Sequence, residues 1–215
     1  MTREQPRVAA VPAITAWSGE LRRARELEFH PILGVRFADE DPSDRIGGVL
    51  WASHREAPGE GHPQFTVIHP QRQRAAMQGL LCQVCGQVPP ADERGPLWLI
   101  REEYDAWEEW PEGAITTHPP VCPPCAQLAR DHCPEVGGVA YTAVRSAASA
   151  LAGVHGTVYV PYGTGDMLMP IKAFVEIGDP RMRWVVAGQL GRSLHRTTVV
   201  DLDIEIAAAI ATPAP

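Results

Sequence analysis

Five cysteines carry the clearest chemistry in the chain, and four of them form two C-x-x-C pairs: Cys82 with Cys85, and Cys122 with Cys125. Two intervening residues let both thiolates of a pair reach one tetrahedral ion. Two such pairs complete a closed four-sulfur shell. Thirty-six residues separate the pairs. The spacing predicts a structural zinc ion with no open position for water or substrate. A disulfide or a redox pair is the alternative, but no thioredoxin-like strand–helix–strand context accompanies either pair. Cys133, His118 and His132 lie close enough in sequence to replace a cysteine ligand and open the site.

Other residue types could do chemistry on a substrate. Asp39, Glu40, Asp41 and Asp44 form an acidic turn that runs into Arg45. A carboxylate such as Asp44, partly desolvated beside a cation, can act as a general base, although Asp-Pro turns are also simply solvated. The segment from Arg101 to Trp110 is acidic and aromatic. Glu102 and Glu103 are further candidate bases there. Trp107 and Trp110, three apart, could wall a pocket or pack as an ordinary amphipathic turn. Arg45, Arg72 and Arg74 could hold an anion with forked donors, helped by the positive end of a helix starting near Pro70. His54, His62 and His69 could shuttle protons, and His62-Pro63 and His69-Pro70 frame a strand of period two.

The elements that must position these groups are mixed. Residues 1–15 read as mobile and Ser18–Glu28 as helical. Strands are predicted over Ile32–Phe37, Ile46–Ala52 and Phe65–Ile68, then a helix from Pro70 to Leu81. Leu97–Ile100 and Ala114–His118 read as the strands of one hairpin. A helix then starts at the second cysteine pair and stops near Pro134. Further strands are predicted over Val139–Val144, Thr157–Val160, Ile171–Glu176 and Thr197–Leu202. Met182–Leu194 reads as a helix, because Leu190 and Leu194 are four apart. The pattern predicts an α+β class, with a zinc module embedded in mixed antiparallel strands and helices. Its expected divisions are 1–80, 81–134, 135–206 and a flexible tail over 207–215, within one composite unit.

The chain has 215 residues, 45% of them hydrophobic and 21% charged, a balance that supports a packed core over extended disorder. A net charge of −7 argues against a general nucleic-acid binder, which needs a basic surface. No apolar run is long enough to span a membrane. The absence of a signal-peptide pattern at Met1 predicts a cytoplasmic protein with reduced thiols.

From Leu81 to Pro134 the predicted order of knuckle, hairpin and cysteine-bearing helix resembles a treble clef, the zinc-stabilised scaffold of HNH endonucleases. The resemblance rests on Cys82, Cys85, Cys122, Cys125 and the helix after Cys125. It implies a degenerate, non-cutting relative. The first strand, Leu97–Ile100, has no His, and the chain contains no Asn. The whole chain also resembles a set of actinobacterial proteins, through Asp44-Arg45, Gly48–Trp51, His69–Arg74, Leu80–Gly86, Pro119–Cys122 and Arg183–Leu190. Some of these occur in natural-product gene clusters, including clusters that make aziridines. The resemblance implies a zinc-stapled enzyme acting on a small substrate, free or linked to a carrier protein. An intramolecular cyclisation with loss of an anionic group would suit it. The expected roles are Asp44, Glu102 or Glu103 as base and Arg45, Arg72, Trp107 and Trp110 as substrate contacts. The competing expectation is a non-catalytic nucleic-acid- or protein-binding module. A partner protein or a homo-oligomer is compatible with both.

Overall fold

A computed structural model describes residues 11–21, 25–30, 32, 34–101, 107–132, 141–162 and 167–211. The expected α+β mixture is present. Short strands β1 (Thr15–Trp17), β2 (Leu27–His30), β3 (Gly34–Phe37), β4 (Arg45–Ile46), β5 (Val49–Trp51) and β6 (Pro63–Ile68) precede helix α1 (Pro70–Gly79). Then come β7 (Leu97–Arg101), β8 (Ile115–Thr116), α2 (Pro123–His132), β9 (Tyr141–Tyr162), β10 (Met167–Glu176), β11 (Val185–Val199) and α3 (Leu202–Ala211).

Among the described residues the central sheet has seven strands. Its main path runs β10-β9-β11-β5-β4, with β7 paired to β9 and β8 paired to β11. Pairing within this sheet is antiparallel except between β11 and β5. Strands β1 with β6, and β2 with β3, make separate antiparallel ribbons. β9 is the spine. Twenty-two residues long, it pairs with β11 along one edge and with β7 and then β10 along the other. The main core gathers Trp51, Met77, Trp98, Val144, Val158 and Leu194.

Helix α1 closes a gap in the sheet. On β11, residues 186–187 pair with β5 and residues 192–193 with β8, which leaves Leu190 between them. Gln73, fully buried on α1, fills that gap. Its Oε1 accepts from the Leu190 N–H at 2.8 Å, and its Nε2 donates to the Leu190 carbonyl at 2.9 Å and the Thr117 carbonyl at 2.6 Å. A side-chain amide thus stands where a neighbouring strand would supply backbone partners.

Several expectations are corrected. The helix predicted over Met182–Leu194 is strand β11, preceded by a 3-10 turn over Pro180–Trp184. Gly188 is an extra residue between Ala187, opposite Gly156, and Gln189, opposite His155. That bulge shifts the buried positions to 187, 190 and 194, a helix-like spacing inside a strand. The tail predicted over 207–215 begins as helix: α3 runs through the expected boundary at 206. Asp201 caps it by accepting from the Asp203 N–H at 2.8 Å. Ser18–Glu28 is not one helix but a 3-10 turn over Ser18–Glu20 followed by β2. The segment predicted mobile is packed from residue 12 onwards, with Ala13 donating to the Val84 carbonyl at 2.9 Å. Finally, β7 and β8 do not pair with each other. Each joins a long strand of the central sheet instead.

Candidate metal centre and neighbouring pocket

Gly86, at φ +72°, turns the chain after the first cysteine pair. The turn is closed by Gly86 N–H donating to the Cys82 carbonyl at 2.8 Å and Cys82 N–H donating to Gln87 at 2.7 Å. Gln83 N–H reaches Pro120 at 3.0 Å, and Val121 N–H reaches Leu97 at 2.8 Å. These bonds bring the approach to the second pair alongside the first. Pro123 and Pro124 then open α2, whose first turn carries Cys125. All four sulfurs lie within 4.8 Å of one another, and none is in a disulfide. Cys85 and Cys122 are 3.7 Å apart. Thiolates about 2.3 Å from a shared tetrahedral ion would be about 3.8 Å apart. Cys82 is fully buried and its sulfur accepts from the Cys122 N–H at 3.4 Å, while Cys85 is exposed.

Burial and the crowding of neighbouring sulfurs push the Cys125 thiol up to about 12 and Cys122 higher still. Burial also opposes ionisation at Cys85, but donation from the Gln87 backbone and from the other cysteines holds it below the ordinary thiol range. The cluster therefore resists becoming fourfold anionic by itself and suits a cation at its centre. The donor set and spacing fit a metal ion.

The second feature is a cavity of about 350 Å³ between the end of β7, the 110–118 segment and the face of β9 and β10. Arg101, Trp110, Thr116, His118, His155 and Phe174 line it. Glu112 fixes the 110–118 segment by accepting from the backbone N–H groups of Arg196 at 3.1 Å and Thr197 at 3.0 Å. Gly113 N–H donates to the Leu194 carbonyl at 2.7 Å. Burial first, and the charge of Lys172 second, hold His155 below the ordinary imidazole range. At neutral pH its ring is a proton acceptor.

The residues singled out from sequence scatter. Trp110 lines the cavity. Trp107 is 41% exposed and donates its Nε1–H to the Glu112 carbonyl at 3.0 Å. Asp44 closes its own 3-10 turn by accepting from the Asp41 N–H at 2.8 Å, and also accepts from Arg25 Nη1 at 2.7 Å. Arg45 donates to Glu40 at 2.7 Å and to the Val35 carbonyl at 2.8 Å. Arg72 closes on Glu20 with both Nη atoms, at 2.7 and 2.8 Å. Glu102 and Glu103 lie outside the described residues, as does Cys133. His155 and Phe174 were missed, being single residues in strands with no local pattern to mark them. The one cue was a glycine on either side of His155 within β9, Gly153 and Gly156.

Comparison with protein-family models, with curated proteins and with solved structures found no match to this chain.

Proposed function

We propose that the four cysteines hold a structural zinc ion and that the protein is an enzyme acting on a small substrate bound in the cavity beside His155. The zinc reading is supported by an all-sulfur donor set, tetrahedral spacing and a fully buried Cys82. Bound there, zinc would staple the Cys82 turn to the start of α2, the knuckle and helix of a treble-clef-like module. With four thiolates it has no open position for substrate.

The single observation that carries the enzyme reading is the cavity itself, where a neutral imidazole, a guanidinium, threonine hydroxyls and aromatic walls converge. In this reading His155 takes the proton of the attacking group. Arg101 faces the charge that develops on the departing one, and Trp110 excludes water. A cyclisation with loss of an anion fits these roles, in keeping with the natural-product resemblance. Asp44, engaged by Arg25 and by its own turn, gives way to His155 as base. Arg45 and Arg72, engaged by Glu40 and Glu20, give way to Arg101.

Native mass spectrometry of the purified chain beside a denatured control tests both halves. One zinc and a retained small molecule, the latter lost in His155→Gln and Trp110→Ala, is the expected result. A ligand retained equally by both variants would remove the cavity reading. The knuckle and cysteine-bearing helix also favour a second reading, a degenerate HNH-like binding module. Salt-dependent binding of duplex DNA at low ionic strength would support that reading over the enzyme.

A further inference from the structure

The cavity has a particular floor. β9 and β10 pair without a bulge, so His155 faces Phe174 and Thr157 faces Lys172 across the ladder. Directly opposed and alternate residues share a sheet face, which puts these four side chains on one side. The ring of Phe174 then lies over two glycines. A Cβ at Gly191 would sit 2.3 Å from its Cε2, and a Cβ at Gly153 would sit 2.8 Å from its Cε1. A side chain at Gly191 would meet the ring first and displace it, whereas one at Gly153 would meet the Val175 carbonyl as well as the ring. The absence of a side chain at both positions therefore leaves room for the Phe174 ring at the cavity wall.

Arg101 supplies the fixed charge among the described residues that line the cavity. The chain carries a net charge of −7, yet no described residue lining the cavity is acidic. Nine of the described arginines, Arg72 and Arg145 among them, close on a carboxylate. Arg101, exposed at the cavity, has no such partner among the described residues. His118 and His155 add ring nitrogens, and Lys172 is near enough to His155 to act on it electrostatically. A guanidinium and imidazole nitrogens, with no acidic side chain among the described lining residues, stand beside an aromatic floor and complement an anion attached to a flat apolar body.

From the cavity lining and the glycine-seated Phe174, we propose that the cavity selects a ligand bearing an oxyanion, sulfonate, sulfate or carboxylate, on an apolar group that stacks on Phe174. Arg101 holds the oxyanion, and His155 stands beside it as the base. Gly191 determines specificity by leaving the Phe174 ring its seat. The proposal rests on reading the cavity as the substrate site and names the class of substrate that site takes.

The test uses the full chain and three probes of one shape: benzenesulfonate, which is anionic at every working pH, benzyl alcohol and benzylamine. Binding is followed by amide chemical-shift titration. Benzenesulfonate is expected to shift residues around His155, Phe174 and Thr116, with affinity falling as salt rises. Arg101→Gln should weaken it by roughly tenfold, a typical loss for a charge-assisted contact. Gly191→Ala should abolish it through the displaced ring. If Gly191→Ala does not fold, Phe174→Leu supplies the same reading with the floor lowered, and should weaken benzenesulfonate several-fold. Binding of benzyl alcohol or benzylamine at these residues as tightly as benzenesulfonate would overturn the anion proposal and leave the cavity reading standing. No shift at these residues with any probe would overturn both.

Discussion

Glu20 has no exposed surface, yet it remains a carboxylate. Arg72 holds its carboxyl down at about 2. Burial opposes that shift, and the N–H groups of Trp17 and Ala57 assist it. A carboxyl depressed from 4.5 contributes stability that is present above about 4.5 and is lost as pH falls toward 2. The shift corresponds to about 3 kcal/mol at neutral pH. His69, buried against the same cluster, works in the same direction at higher pH. Burial holds it below 6.5, so stability begins to fall once the unfolded chain protonates its imidazole and the native chain resists. Urea unfolding at stepped pH should therefore show one loss starting near 6.5 and a larger one below 4.5. Glu20→Gln should remove most of the lower step and cost about 3–5 kcal/mol at pH 7, because Arg72 would be left without its buried counter-charge. An unchanged acid profile in that variant would show that Glu20 is not the titrating group. The sequence offered Arg72 as a contact for a substrate's anion, and in the fold it closes on a carboxylate of the chain itself. Its partner Glu20, fifty-two positions away, was not legible, because only the fold brings them together.

Sheet edges explain both the stability and the misreadings at the level of elements. Gln73→Leu would keep the volume of α1's contact but leave the Leu190 N–H and carbonyl without partners. The expected cost is about 2–4 kcal/mol by chemical denaturation, with faster hydrogen exchange at Leu190. A loss below 0.5 kcal/mol would mean that water replaces the amide. At the other end, Asp201→Ala should cost about 1 kcal/mol and fray α3 first, as a lost cap does. The cysteine turn, β6 and α1 were readable because their signals are local: a C-x-x-C spacing, alternation, and Pro70 at a helix start. β11 was not. The Gly188 bulge breaks its period of two, and the spacing of Leu190 and Leu194 then imitates a helix, although Val185, Val186, Thr197 and Thr198 are residues that strands favour. α3 was hidden for a different reason. Its Ala- and Pro-containing end suggested a tail, while part of what seats it is a buried pair, Glu205 with Arg145 at 2.6 Å, formed sixty residues apart.

Across the molecule, the cysteine module and the central sheet are one body. Cys82 and Val84 pack in a single buried cluster with Leu97 and Leu99 of β7 and Ala143 of β9, and Leu202 of α3 packs against it. β7 is itself a ladder strand of the sheet, paired with β9 from Leu97 to Arg101. The Pro12–Ile14 segment is bonded to the cysteine turn and continues into β1, which pairs with β6. A bound ion would therefore be coupled to the folding of the whole chain rather than of an autonomous finger. Removing the metal with a chelator, or replacing Cys82 by Ser, should lower the melting temperature of the entire protein in one cooperative transition. Tryptophan fluorescence, which reports on Trp98 in the main core and Trp51 beside α1, and far-ultraviolet circular dichroism should change together. Two separated transitions, with the core tryptophans unmoved in the first, would instead make the module an independent unit. Cobalt substitution provides the control. Strong thiolate-to-metal absorption in the native chain, lost in Cys82→Ser, ties the stability change to the four sulfurs and separates it from damage to the buried cluster that Cys82 helps to fill.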